Sequence, residues 1–242
     1  MIYISDEVRR GFVPTDEKEF NEENLLRLRR AQEEILYLLD RGYPIKSAST
    51  FVGNHYLLSE RQRLAIVRAT AKNLDLEMRK SKRLDGVTDL TRVSIDGLNI
   101  IITLEVALSE STLLRCMDDT IRDLAGLRGT YRLIDKTDRA ILLIGEKLES
   151  MKIREAVFYL DAPVSNTGRL KLRILELLQG FSYQVSVELV NNADVVLENL
   201  NNVISSDSIV LSKCESWINL NAEIMKDKLP NVKCIDMTGK DN

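Results

Sequence analysis

The chain is poor in the residues that many catalytic devices require. It has one histidine, His55, in 242 residues. That excludes a histidine-rich zinc site. His55 falls in a helical segment, where it reads as a surface or packing residue, so a Ser-His-Asp or Cys-His relay is not expected. The three cysteines, Cys116, Cys214 and Cys234, are scattered, odd in number and lack metal-ligand spacing. They read as buried thiols of a reducing compartment, and a cytoplasmic location is expected. No apolar run is long enough to span a bilayer, and residues 1–10 carry acids in place of an apolar signal core. No internal repeat or low-complexity tract is visible.

What remains is a globular composition, with 44% hydrophobic and 29% charged residues. The net charge of −3 argues against a wholly basic nucleic-acid binder. Its distribution is uneven. The segment through Asp85 is slightly basic, concentrated at Arg61, Arg63, Arg68, Lys72, Arg79, Lys80, Lys82 and Arg83, and acids prevail from Gly86 onward. A basic module joined to an acidic site suits an enzyme that cuts a polyanion with metal ions, whereas a solvated helix face explains the basic run alone.

Residues 1–85 read as a small all-α domain. Asn21 or Asn24 caps a helix carrying Leu25, Leu28, Ile35, Leu36, Leu38 and Leu39 at helical spacing, and Arg41-Gly42-Tyr43-Pro44 ends it. Ile45 to Val52 forms a shorter segment. Ser59 and Gln62 make a capping box for a helix burying Leu64, Ile66, Val67 and Ala71. Three such helices form either a packing or dimerisation bundle or a helix-turn-helix.

Residues 86–242 read as an α/β domain. Short apolar runs at Val93-Ser94-Ile95, Ala156 to Leu160, Val185 to Val190, Val203-Ile204 and Val232 to Ile235 alternate with helical segments. Those segments are Leu113 to Leu127, Arg139 to Leu148, Leu170 to Leu178 and Ser216 to Leu229. The alternation predicts a mostly parallel sheet covered on both faces, with Trp217 and Leu220 in the core.

In such sheets ligands bind beyond the carboxyl ends of the strands. Acidic residues follow four predicted strands, at Asp96, Asp161, Asp194 and Asp207. A single aspartate there is a common helix cap, and Asp96-Gly97 also fits a hairpin turn with residues 99–102 returning as a strand. The recurrence favours a shared site. Gathered aspartates repel, and magnesium or manganese relieves the repulsion through hard oxygen ligands. Ser165-Asn166-Thr167-Gly168-Arg169 opens the helix after Asp161, so Asn166 and Arg169 are candidate phosphate contacts beside the plain reading of a capped turn. Arg115, Arg122, Arg128 and Arg132 surround Asp118, Asp119 and Asp123, and Arg115 and Arg122 fit either a substrate-facing edge or helical ion pairs three or four residues apart.

Two resemblances follow from these residues. Arg10-Gly11-Phe12-Val13-Pro14, Leu28-Arg29-Arg30-Ala31, Arg41-Gly42-Tyr43, Lys46-Ser47-Ala48 to Val52-Gly53 and Leu58 to Arg63 resemble a prokaryotic family of unknown function with a helical N-terminal part of the 434 type. Ile95-Asp96-Gly97-Leu98-Asn99 is similar to the opening motif of NYN-type ribonucleases, and Phe158-Tyr159-Leu160-Asp161-Ala162 to their second acidic strand end. Ala193-Asp194 and Ser205-Ser206-Asp207-Ser208 resemble the later acidic positions of the PIN/NYN superfamily. The second resemblance implies a three-layer Rossmann-like fold and an endoribonuclease acting on RNA with Mg2+ or Mn2+. It implies Asp96, Asp161, Asp194 and Asp207 as metal ligands, with Asn99 and Ser206 orienting a ligand or water. The mid-domain acid of that superfamily falls to Glu105, Asp119 or Asp123. The region between Asn99 and Glu155 is longer and richer in arginine than a minimal NYN domain. The reading from another class is a non-catalytic regulator that binds nucleic acid or senses a nucleotide. The helical part would position substrate or a homodimer partner.

Overall fold

A computed structural model describes residues 8–88, 90–126 and 129–239. The N-terminal part is helical: α1 (Asp16–Glu19), α2 (Glu22–Asp40), α3 (Ile45–His55), α4 (Glu60–Ala69) and α5 (Asn73–Lys82). Its punctuation follows the sequence. Asn21 caps α2 by accepting from Asn24 N, and Gly42 leaves the helix at φ +84°. Ser59 and Gln62 form both halves of the capping box on α4.

The rest alternates β1 (Arg92–Asp96), α6 (Gly97–Leu108), β2 (Leu113–Arg115), β3 (Ile121–Asp123), α7 (Thr137–Ser150), β4 (Glu155–Asp161), α8 (Thr167–Leu178), β5 (Gln184–Val190), α9 (Ala193–Leu197), β6 (Val203–Ile204), α10 (Ser208–Lys213), β7 (Trp217–Ile218), α11 (Leu220–Lys228) and β8 (Cys234–Asp236). One five-stranded sheet has the order β5-β4-β1-β6-β7, with every pairing parallel. Strands β1 and β4 are buried almost throughout because both faces are covered. On one face Val93, Ile95, Phe158 and Ile204 pack with α6, α7, α8 and α11. On the other, Val157, Tyr159, Val203 and Trp217 pack with α9 and α10. This is a mostly parallel α/β arrangement with helices on both faces. No helix among the described residues is long and apolar enough to cross a membrane.

Six expectations are corrected. On α4, Leu64 and Val67 are exposed, and Ala65, Ile66 and Ala69 face the core. Ser216 to Leu229 is not one helix, because Trp217–Ile218 is strand β7 and the helix begins at Leu220. Leu113 to Leu127 is not a helix: β2 and β3 pair as an antiparallel hairpin, with Asp119 left-handed at φ +61° in its turn. Leu127 and Arg128 lie outside the described residues. The arginine-aspartate pairs expected along that helix form across the hairpin instead, Arg115 with Asp119 and Arg122 with Asp118. Residues 99–102 are not a returning strand, because α6 starts directly after Asp96. Gly97 is needed for helix–strand proximity: a Cβ there would stand 2.5 Å from Leu160 Cδ2 and 3.3 Å from the Tyr159 carbonyl. Finally, the strand near Val232 to Ile235 does not join the main sheet. As β8 it pairs parallel with β2 in a second sheet of order β3-β2-β8.

The second sheet receives the helical part. Leu28, Ala31, Ile35 and Ile66 share one core with Leu114, Cys116, Leu124 and Met237. Much of the basic run is committed to internal bonds. Arg61 pairs with Asp16 at 2.7 Å and donates to the Leu124 carbonyl, Arg68 pairs with Asp123, Arg79 with Asp118, and Lys82 donates to the Ser212 carbonyl.

Candidate functional site

Because all pairings of the main sheet are parallel, the carboxyl ends of its strands share one edge. Chain order runs outward from β1 to β4 and β5 on one side and to β6 and β7 on the other. The reversal falls between β1 and β6, the usual ligand position in open parallel sheets. Ile95 pairs with Ile204 there, which sets Asp96 level with Ser205. Asp161 ends the neighbouring β4, Asp194 opens α9 after β5, and Asp207 caps α10 after β6.

Asp96 is buried and held from both sides. Its Oδ2 accepts from Ser205 Oγ at 2.8 Å, and its Oδ1 accepts from Asn99 N at 3.4 Å. Burial pushes its pKa up to about 7, Asp194 and Asp207 push the same way, and the Ser205 hydroxyl opposes them. The Asp194 carboxyl is also raised, first by burial and then by Asp207 and Asp161. These carboxylates feel one another across the sheet edge. Asp161 Oδ1 accepts from Ala193 N at 2.8 Å and so fixes the start of α9. Asp207 Oδ1 accepts from Ile209 N and Val210 N, a standard N-cap.

Asn99 and Ser206 also meet. Asn99 Oδ1 accepts from Ser206 N at 3.0 Å and from Ser206 Oγ at 2.8 Å. Ser205 bridges the reversal, since its Oγ accepts from Asp207 N at 3.0 Å while donating to Asp96. Sequence reasoning missed Ser205. Its signals were its place in the Ser205-Ser206-Asp207-Ser208 segment and its position as the first residue past a short apolar run.

The remaining candidates separate. Arg122 is buried, and its guanidinium donates to the Ser206 carbonyl at 2.7 Å, to the Arg68 carbonyl and to Asp118. Arg115 lies on a different cleft of about 650 Å³, lined also by Arg83, Asp119, Lys147 and Asn219. Asn166, left-handed at φ +71°, gives its Nδ2 to the Tyr131 carbonyl, and Arg169 is exposed in the first turn of α8. Of the mid-domain acids, Glu105 is fully buried with Arg10, Tyr131 and Thr137. Asp123 binds Thr103 and Arg68, and Asp119 sits in the hairpin turn with Arg115.

All four aspartates supply the hard oxygen donors that magnesium and manganese prefer. Among the described residues no group of three or more His, Cys, Asp or Glu side chains is drawn close enough to enclose a metal ion. Magnesium commonly uses one or two carboxylates and keeps several waters, so the donor set fits a partly hydrated ion and not an all-protein cage.

The family model described as a domain of unknown function, DUF5616, matches residues 84–223. A second, described as a protein of unknown function, DUF434, matches residues 27–82. An uncharacterized protein of Methanocaldococcus jannaschii is 38% identical over 186 residues, covering 76% of this chain and 88% of its own length. No solved structure matches the chain significantly. With one model spanning more than half its length and a relative of this identity, the chain belongs to the DUF5616 family, with a DUF434 segment preceding it.

Proposed function

We propose that the protein is a metal-dependent phosphodiesterase acting on nucleic acid, with RNA as the expected substrate, built on a Rossmann-like layout of the PIN/NYN kind. The observation that carries this reading is the set of mutually repelling carboxylates at the strand-order reversal, with Asp96 held at about 7. Repulsion of that kind is relieved by a divalent cation. Of Asp96, Asp161, Asp194 and Asp207 at the strand ends, one or two together with water would hold Mg2+ or Mn2+, which when bound supplies Lewis acidity toward a phosphodiester. With Asn99 Oδ1 engaged by Ser206, the Asn99 amide nitrogen is the group it offers a ligand. In the metal-free protein the Asp96 carboxyl is raised to about 7, and a bound cation would draw it down and displace the proton. Arg169, exposed in the first turn of α8, would meet phosphate.

Calorimetry with Mn2+ on the wild type and on Asp96→Asn with Asp207→Asn tests the reading. Micromolar binding that the double variant abolishes, followed by cleavage of labelled RNA, supports it. Absence of binding to either protein overturns it.

One observation favours a second reading. Asp161 and Asp207 each use an oxygen to fix a helix start, and no three acids converge among the described residues. A non-catalytic regulator that binds nucleic acid or a nucleotide at the same strand ends needs no more than this. It predicts ligand binding without metal and without cleavage.

A further inference from the structure

The last turn of α4 leaves backbone carbonyls without helical partners, as every helix end does. Here the β2–β3 hairpin takes two of them. Met117 N donates to the Ala69 carbonyl at 3.0 Å, and Arg122 donates to that of Arg68. A cation at a helix C-terminus is also favoured by the helix dipole. The same guanidinium reaches the other way, its Nε donating to the Ser206 carbonyl at 2.7 Å. Its third nitrogen binds Asp118 Oδ2 at 2.5 Å. Asp118 is fixed in turn by Arg79 of α5 at 2.8 Å and by Thr120 Oγ1 at 2.6 Å. Arg79 also receives the buried Trp217 indole on its carbonyl at 2.7 Å.

Ser206 is thus held by its carbonyl to Arg122 and by its amide and hydroxyl to Asn99. Ser205, its neighbour, spans Asp96 and Asp207. We propose that Arg122 is a positioning residue that couples helices α4 and α5 to the acidic strand ends, so that the helical part controls the geometry of the serine loop. This deepens the reading of those strand ends as the working site and rests on it. Only arginine has the planar fork that can serve three acceptors in different directions. A lysine keeps the charge opposite Asp118 but cannot bridge Arg68 and Ser206 at once.

Hydrogen exchange on the full-length protein tests the coupling. Arg122→Lys is expected to speed exchange of the Ser206 and Asp207 amides by at least about tenfold while the Ile95 and Phe158 amides of the sheet stay unchanged. Arg122→Gln, which leaves Asp118 paired with Arg79, repeats the test without an unpaired buried charge. Ile35→Val, a mild change in the core that α2 shares with the second sheet, should then perturb Ser206 exchange when Arg122 is present and not in Arg122→Lys. Unchanged exchange at Ser206 and Asp207, uniform acceleration across the molecule, or an Ile35→Val effect that persists without Arg122 would each overturn the proposal. Failure of the wild type to bind Mn2+ sinks the phosphodiesterase reading and leaves the exchange result standing, so the two failures are distinguishable.

Discussion

Ser205 Oγ stands 2.8 Å from Asp96 Oδ2 as donor and 3.0 Å from the amide of Asp207 as acceptor, so one hydroxyl orders two carboxylate-bearing segments. Ser205→Ala removes both bonds and leaves Asp207 N without that acceptor. The expected cost is about 1–3 kcal/mol, read from urea denaturation. The Asp96 carboxyl should titrate still higher, since the serine bond opposes its upward shift. A carboxyl titration by NMR that shows Asp96 unmoved would contradict the assigned role.

The raised Asp96 carboxyl makes stability depend on pH in a definite sense. Its ordinary value is 3.8, and in the folded protein it lies at about 7. Folding therefore tightens proton binding, and this contribution is full below the lower value and lost as pH rises to the higher one. Asp96→Asn abolishes the dependence. Scanning calorimetry at pH 5 and pH 8 should show the wild-type Tm falling more than that of the variant; parallel changes would argue that Asp96 is not held protonated.

Asp207 caps α10 with an oxygen that asparagine also supplies. Asp207→Asn should leave the fold intact and change stability little, whereas Asp207→Ala should cost about 1 kcal/mol through the lost cap. A large Tm loss in Asp207→Asn would mark the charge itself as structural.

Away from the strand ends, Glu105 is fully buried against Arg10 at 2.5 Å, and burial raises its carboxyl despite that partner. Arg10→Ala leaves a buried carboxylate uncompensated, with an expected loss of about 3–5 kcal/mol at neutral pH. The deficit should shrink at acid pH, where Glu105 is protonated, and adding Glu105→Gln should restore most of it. Equal losses at both pH values, measured by denaturant titration, would place the effect in packing.

Much of the main sheet was legible because parallel strands covered on both faces must be short apolar runs, and those at 93–95, 156–160, 185–190 and 203–204 fall on β1, β4, β5 and β6. The acids after them share an edge simply because all pairings are parallel. The hairpin was hidden because its arginines and aspartates repeat at intervals that suit a helix equally well. A two-stranded turn with Asp119 left-handed satisfies the same pairs. The role of the basic run was hidden for a related reason. Charge density alone does not distinguish side chains facing a polyanion from side chains reaching carbonyls and carboxylates inside the same molecule. The positions of Glu105 and Asp123 in α6 and β3 likewise depend on partners from distant segments, Arg10 and Arg68, which local pattern cannot supply.

The parallel pairing of β8 with β2 has a consequence for the order of assembly. Met237 is buried in the same core as Leu28 and Ile35, and its carbonyl accepts the Gln32 amide at 2.9 Å. During synthesis the helical segment leaves the ribosome long before residue 237 does. Its core therefore stays open at one end while the whole parallel sheet is being made, and a nascent chain halted before β8 would present that gap to chaperones. The helical segment, translated before the sheet, is among the last parts to be sealed.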